Sequence, residues 1–221
     1  MNRAPPGEWW DYSWNPITGC KRLCDFNNDG KPDCYAYKTY RRFGWSFEPA
    51  FHPDRIPEPW HLHKPSRIFV CSTSDLFALW LPYEWRIQVV GAMVSCRVPH
   101  IFITLTKEPE GINRIYSWPR RIWLGTSITQ QEEIQRAEIL KKVRARMKFL
   151  CFEPLLGPIS IDLDGFDWII IGKLTGAKAP FKKEWVQELI REARSHEIPI
   201  FIKKNVGWRP RIREFPKEPK V

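Results

Sequence analysis

Asp167-Trp168-Ile169-Ile170-Ile171-Gly172 is an almost continuously apolar run, followed by a helical pattern from about Lys182 to Ser195 and a second apolar run from Ile198 to Ile202. A strand without polar alternation is buried on both faces, which places it in a sheet covered by helices. The same β-then-α unit recurs upstream. Arg67-Ile68-Phe69-Val70-Cys71 precedes a helical pattern over Tyr83 to Ser95, and His100 to Thr104 precedes a short helix around Pro109 to Tyr116. Arg121 to Gly125 precedes a helix that opens near Thr129 and covers Gln130 to Val143. Met147 to Cys151 leads into Phe152-Glu153-Pro154-Leu155-Leu156-Gly157-Pro158, where two prolines and a glycine predict a loop. Strands joined by helices run parallel through right-handed crossovers, so the pattern predicts an α/β fold, either a closed or partly closed β/α barrel or a doubly wound sheet.

The chain has 221 residues, and 35 Lys and Arg against 25 Asp and Glu give a net charge of +10. With 43 % hydrophobic residues it can bury a sizeable core, which excludes a largely disordered chain. No apolar run reaches the ~18 residues of a membrane span, and the first eight residues lack the apolar stretch of a secretory signal. A cytoplasmic protein of one domain, 1–221, is expected. Within it, 9–46 holds a cysteine-rich loop and the first β/α unit, with a helix from Tyr35 to Phe43. Residues 47–66 form a Pro-rich connection, 67–205 the remaining β/α units, and 208–221 a basic, loosely held tail. The positive charge makes a nucleic acid the candidate partner.

Cys20, Cys24 and Cys34 crowd into fifteen residues, whereas Cys71, Cys96 and Cys151 stand alone at the ends of apolar runs. The crowding is unlike a disulfide scaffold and points to a metal or cluster site. Three thiolates on a loop between a strand and a helix can hold three irons of a 4Fe–4S cluster, leaving the fourth iron open. That is the arrangement radical S-adenosylmethionine enzymes use. Their usual spacing is C-x3-C-x2-C; here the first gap matches and the second spans nine residues. Two other readings stand beside it: structural zinc with a fourth ligand from His52, His61 or His63, or plain buried thiols. Asp25, Asn27, Asp29 and Gly30 imitate the start of a calcium loop, but position twelve is Ala36 where a Glu is needed, so they read as a polar turn.

Trp14-Asn15-Pro16-Ile17-Thr18-Gly19-Cys20, Asp33-Cys34-Tyr35-Ala36, Phe51-His52-Pro53-Asp54-Arg55, Ser72-Thr73-Ser74-Asp75-Leu76-Phe77, Leu105-Thr106-Lys107, Trp123-Leu124-Gly125-Thr126-Ser127, Glu153 to Pro158 and Asp167 to Gly172 occur in this order. Over residues 9 to 208 the chain thereby resembles the phage-associated three-cysteine-motif proteins, a domain-of-unknown-function family similar to radical S-adenosylmethionine enzymes. The resemblance implies a partial (β/α) barrel of about six parallel strands, a 4Fe–4S cluster and S-adenosyl-L-methionine. Two departures stand out. The family places its second cysteine two residues before the third, and its Gly-Gly-Glu-Ser-Gly is here Gly172-Lys173-Leu174-Thr175-Gly176.

On such a barrel, ligands sit at the carboxyl ends of the strands. Ser72, Ser74 and Asp75 would take the methionine ammonium group, with Thr104 on the neighbouring strand. Ser127 and Glu153 would meet the ribose or the sulfonium, and Lys107, Lys173 and Lys203, with Lys204, an anionic substrate. Each has a plainer reading: Asp75 as a helix cap, Ser127 as a turn residue, Glu153 as the ion-pair partner of a lysine. Cys71, Cys96 and Cys151 read as core thiols, with Cys71 and Cys151 placed to face the site.

The expected function is a radical S-adenosylmethionine-type iron–sulfur enzyme, metal-bound through Cys20, Cys24 and Cys34. It would generate a 5′-deoxyadenosyl radical to modify or repair a nucleic acid or nucleotide, with a reductant such as flavodoxin or ferredoxin as electron donor. The alternatives are a zinc-stabilised, non-catalytic nucleic-acid-binding protein and a catalytically inactive iron–sulfur scaffold.

Overall fold

The computed structural model describes residues 1–27, 29–114, 118–175 and 180–217. Tyr116, Gly176 and the end of the basic tail from 218 lie outside the described residues. The fold is mixed α/β and mostly parallel, and the chain divides into two compact units, Met1–Thr106 and Lys107–Val221.

In the first unit, β1 (Asn2–Arg3), β2 (Tyr12–Trp14), β5 (Arg67–Val70) and β6 (Ile101–Thr106) lie side by side in that order. β1 is antiparallel to β2, whereas β2, β5 and β6 are parallel, with Trp14 opposite Val70 and Val70 opposite Thr104. A separate two-stranded ribbon pairs β3 (Ile17–Thr18) with β4 (Ala50–Phe51). Helix α1 (Tyr35–Arg42) follows the cysteine loop, and α2 (Tyr83–Ser95) joins β5 to β6 and buries Val89, Ala92 and Met93. Trp14, Ile17, Ile68, Phe77 and Phe102 are fully buried and form the core of this unit with them.

In the second unit, β7 (Ile122–Ser127), β8 (Lys148–Phe152), β9 (Trp168–Ile171) and β10 (Ile200–Ile202) are adjacent and parallel. The decisive apolar run is β9, fully buried along its length and flanked on both sides by paired strands. A 3₁₀ turn at Gln131–Glu133 and α3 (Gln135–Lys141) replace the single predicted helix after β7, and Glu133 turns back to accept hydrogen bonds from Thr129 N and Oγ1 at 2.7 and 2.9 Å. Helix α4 (Lys183–Ser195) buries Val186, Leu189 and Ala193, the helical spacing expected of a face packed on a sheet. Gly125 sits opposite Phe149; a Cβ there would stand 2.2 Å from the Phe149 ring, so only glycine lets that ring cross the sheet face. No pairing within either unit closes its strands into a barrel among the described residues.

Residues 212–214 are held more firmly than the composition of the tail predicts. Ile202 N and Glu214 N donate to Ile212 O and Ile200 O at 3.0 and 2.8 Å, and Phe201 bridges Arg213, adding a short antiparallel segment to β10. Glu214 fixes it: its carboxylate takes a two-pronged bond from Arg194 at 2.6 and 2.7 Å and one from Ile200 N at 3.0 Å, while its carbonyl accepts Trp168 Nε1–H at 2.9 Å.

Candidate functional site

The first unit carries the three clustered cysteines. Gly19 precedes Cys20 at φ +77°, with Glu48 O only 2.2 Å and Phe47 O 2.5 Å from where a Cβ would lie. Cys20 N donates to Phe47 O at 3.1 Å. The chain is thus pressed against the backbone of 47–48, which fixes where Cys20 starts the loop. Asp33 closes the detour: its carboxylate accepts Phe26 N, Asn27 N and Asn27 Nδ2 at 3.0, 3.1 and 2.8 Å and pairs with Lys38 at 2.9 Å. Asp25 accepts Asp29 N and Gly30 N at 3.3 and 2.8 Å. Those acids are spent on turn geometry, as a polar turn requires.

Cys20, Cys24 and Cys34 are each half-buried and none of the six cysteines is in a disulfide. Cys34 is the N-cap of α1, and its thiol makes no capping bond. Burial pushes the Cys20 thiol up to about 12, and the charges of Asp75, Cys24 and Cys34 push in the same direction, which puts all four groups within electrostatic reach. The three sulfurs are not all within 4.8 Å of one another. Three thiolates on one zinc stand about 3.8 Å apart, since Zn–S bonds are about 2.3 Å, so the sulfurs as placed do not form a closed three-thiolate zinc site. His52, one candidate fourth ligand, is paired through Nε2 with Thr18 Oγ1 at 2.8 Å.

Asp75 lies in the turn after β5. Ser72 Oγ and Thr73 N both donate to Asn15 Oδ1, at 3.1 and 3.3 Å, and Tyr35 Oη donates to Ser72 O, which ties this turn to β2 and α1. Cys71, at φ 54°, makes the sharp exit from the strand. Thr73 Oγ1 and Ser74 Oγ are buried atoms with no hydrogen-bond partner. Such groups are rarely left unmet in a native fold, and Asp75 follows them in the chain. Asp75 also caps locally, accepting Phe77 N at 3.2 Å. Thr104 is buried within β6, two residues before its end at Thr106, rather than at the strand end the sequence predicts. An open groove of about 460 Å³ adjoins Cys20, lined by Lys21, Arg41, Tyr37, Trp45 and Phe47 among others.

The second unit holds Lys107, Ser127, Glu153, Lys173 and Lys203. Glu153 and Lys203 form an ion pair at 2.7 Å. Gly172 makes room for it: a Cβ there would stand 2.8 Å from the Glu153 carboxyl carbon. Burial pushes the Cys151 thiol well up, Glu153 adding to this and Lys203 and Lys107 opposing it, so those three charges surround the end of β8. Ser127 is buried opposite Cys151, and its carbonyl accepts Arg136 Nη1 at 3.1 Å. Lys173 stands apart from Glu153's pair. Its backbone is clamped by Asn205, through Lys173 N to Oδ1 at 3.3 Å and Nδ2 to Lys173 O at 2.5 Å, and its ammonium lies 5.6 Å from the centre of the Phe181 ring. Cys71 and Cys151 are fully buried and behave as core thiols. No helix among the described residues is long and apolar enough to cross a membrane.

Compared with known proteins, residues 6–219 match a family described as "Protein of unknown function (DUF5131)". No curated protein and no solved structure matches the chain.

Proposed function

We propose that this chain, which belongs to the DUF5131 family of proteins of unknown function, is a radical S-adenosylmethionine-type protein whose Cys20, Cys24 and Cys34 hold a 4Fe–4S cluster. The observation that carries the reading is the gathering of those three half-buried thiols with Asp75 and the unmet hydroxyls of Thr73 and Ser74 in one unit. When bound, a reduced cluster of this kind supplies one electron to S-adenosylmethionine and yields a 5′-deoxyadenosyl radical that takes hydrogen from a substrate.

The chain's own residues supply position and charge. Gly19 and the Asp33 turn hold the loop that presents the thiolates. Asp75 offers the anion that an ammonium group needs, and Thr73 and Ser74 offer hydroxyl acceptors beside it. The parallel β/α units are the parts from which a partial barrel is built. In the second unit, Lys107, Lys173 and Lys203 favour an anionic substrate, a nucleic acid or nucleotide, in keeping with the net charge of +10.

The test is S-adenosylmethionine binding by equilibrium dialysis on anaerobically reconstituted protein. Asp75→Asn keeps the local hydrogen bond to Phe77 N and removes the charge. Binding at least tenfold weaker supports the reading; unchanged affinity removes Asp75 from the site.

A further inference from the structure

Trp208-Arg209-Pro210-Arg211-Ile212-Arg213 brings three arginines into five residues, around a bend at 209–210. This segment runs beside β10 and meets Lys203 and Lys204, which follow the strand. Together they enclose a pocket of about 120 Å³ lined by Lys203, Lys204, Arg209, Arg211, Arg213 and Trp208, with no carboxylate in its wall. Lys203 pairs with Glu153, but Lys204, Arg209, Arg211 and Arg213 form no ion pair among the described residues. Arg213 Nε is a buried donor without a partner.

Five cations around one small pocket repel one another, and a buried guanidinium N–H without an acceptor is costly. A bound oxoanion relieves the repulsion, because guanidinium groups match its oxygens with paired, charge-assisted bonds. The volume is well below the roughly 300–1,000 Å³ of a pocket for a whole small molecule. It takes one tetrahedral group and leaves the rest of the ligand outside, where half-buried Trp208 offers a face for a base.

We infer that this pocket is a phosphate site that holds one backbone phosphate of a single-stranded nucleic acid. The inference rests on the nucleic-acid half of the proposed function and is independent of the cluster.

The experiment uses the full chain without iron and follows anisotropy of a fluorescein-labelled oligothymidylate, with thymidine monophosphate and inorganic phosphate as competitors. Arg209 and Arg211 are exposed, so Arg209→Glu with Arg211→Glu is compatible with folding. The pair Arg144→Glu with Arg146→Glu, also exposed, makes the same charge change elsewhere on the unit. The first pair is expected to weaken oligothymidylate at least tenfold and to flatten the salt dependence by about 0.7 log units per log unit of salt, the share of one phosphate on a single strand, while the second changes affinity less than twofold. If thymidine monophosphate binds as tightly as the oligomer and is lost in the first pair alone, the phosphate site stands and its source is a free nucleotide. Equal weakening by both pairs, or no phosphate probe responding to the first, overturns the inference. Neither result bears on the reconstituted cluster, whose spectrum reports on the first unit.

Discussion

A Cβ at Gly172 would stand 2.8 Å from the carboxyl carbon of Glu153, so the glycine is the space in which that side chain turns toward Lys203. Gly172→Ala therefore has to displace the carboxylate or the strand end. It is expected to cost about 1–3 kcal/mol in denaturant unfolding. Gly91, exposed in α2 with open space around it, is the contrast. Gly91→Ala should stabilise by up to about 1 kcal/mol through helix propensity. Equal effects at the two sites would contradict the cradle.

The Glu153–Lys203 pair lies at 2.7 Å with side chains 26 % and 17 % exposed, so neither charge is well solvated. Removing one partner strands the other. A double-mutant cycle with Glu153→Gln and Lys203→Met should show a coupling of about 1–3 kcal/mol. A coupling near zero would mean the pair is an ordinary surface contact.

Gly19→Ala tests the cysteine loop without touching a thiol. It meets both a positive φ and the Glu48 carbonyl at 2.2 Å. The expected result is protein that still unfolds cooperatively but takes up much less iron on reconstitution. Full iron uptake would show that the loop does not depend on this backbone approach.

The Arg194 guanidinium bonded to Glu214 holds its carboxyl below the usual 4.5, with Ile200 N assisting against the cost of burial. A depressed carboxylate stabilises the fold above its unfolded value, and that contribution is lost as pH falls through the folded one. Glu214→Gln should lower Tm at pH 7, and the gap to the unsubstituted protein should close as pH drops below about 4.5. A gap that persists at low pH would assign the effect to packing of the tail.

The apolar run of β9 and the β/α alternation were legible in the sequence because a strand buried on both faces has no polar residue to hide it. The three cysteines were legible by their crowding. β1 to β4, in the first sixty residues, are only two or three residues long, too short to set up a period. The helix after β7 was drawn too long because Glu133 reaches back to Thr129 and the chain spends one turn as a 3₁₀ segment. The Arg, Lys and Pro content of 208–221 predicts a loose tail, whereas among the described residues Glu214 anchors it by bonding Arg194 and the backbone of β10. Of the two readings of Glu153, the structure shows the plainer one, the ion pair with Lys203 at 2.7 Å, because a pair is local whereas a contact to a ribose or sulfonium needs the ligand.

The measurement that bears most directly on the cluster is electron paramagnetic resonance of the anaerobically reconstituted, reduced protein, with and without S-adenosylmethionine. The expected result is about four irons per chain and a 4Fe–4S⁺ signal that shifts when S-adenosylmethionine is added, both lost in Cys20→Ala. A colourless protein, or a cluster whose signal is unmoved by S-adenosylmethionine, would contradict the reading of Cys20, Cys24 and Cys34 as ligands of a cluster with an open iron.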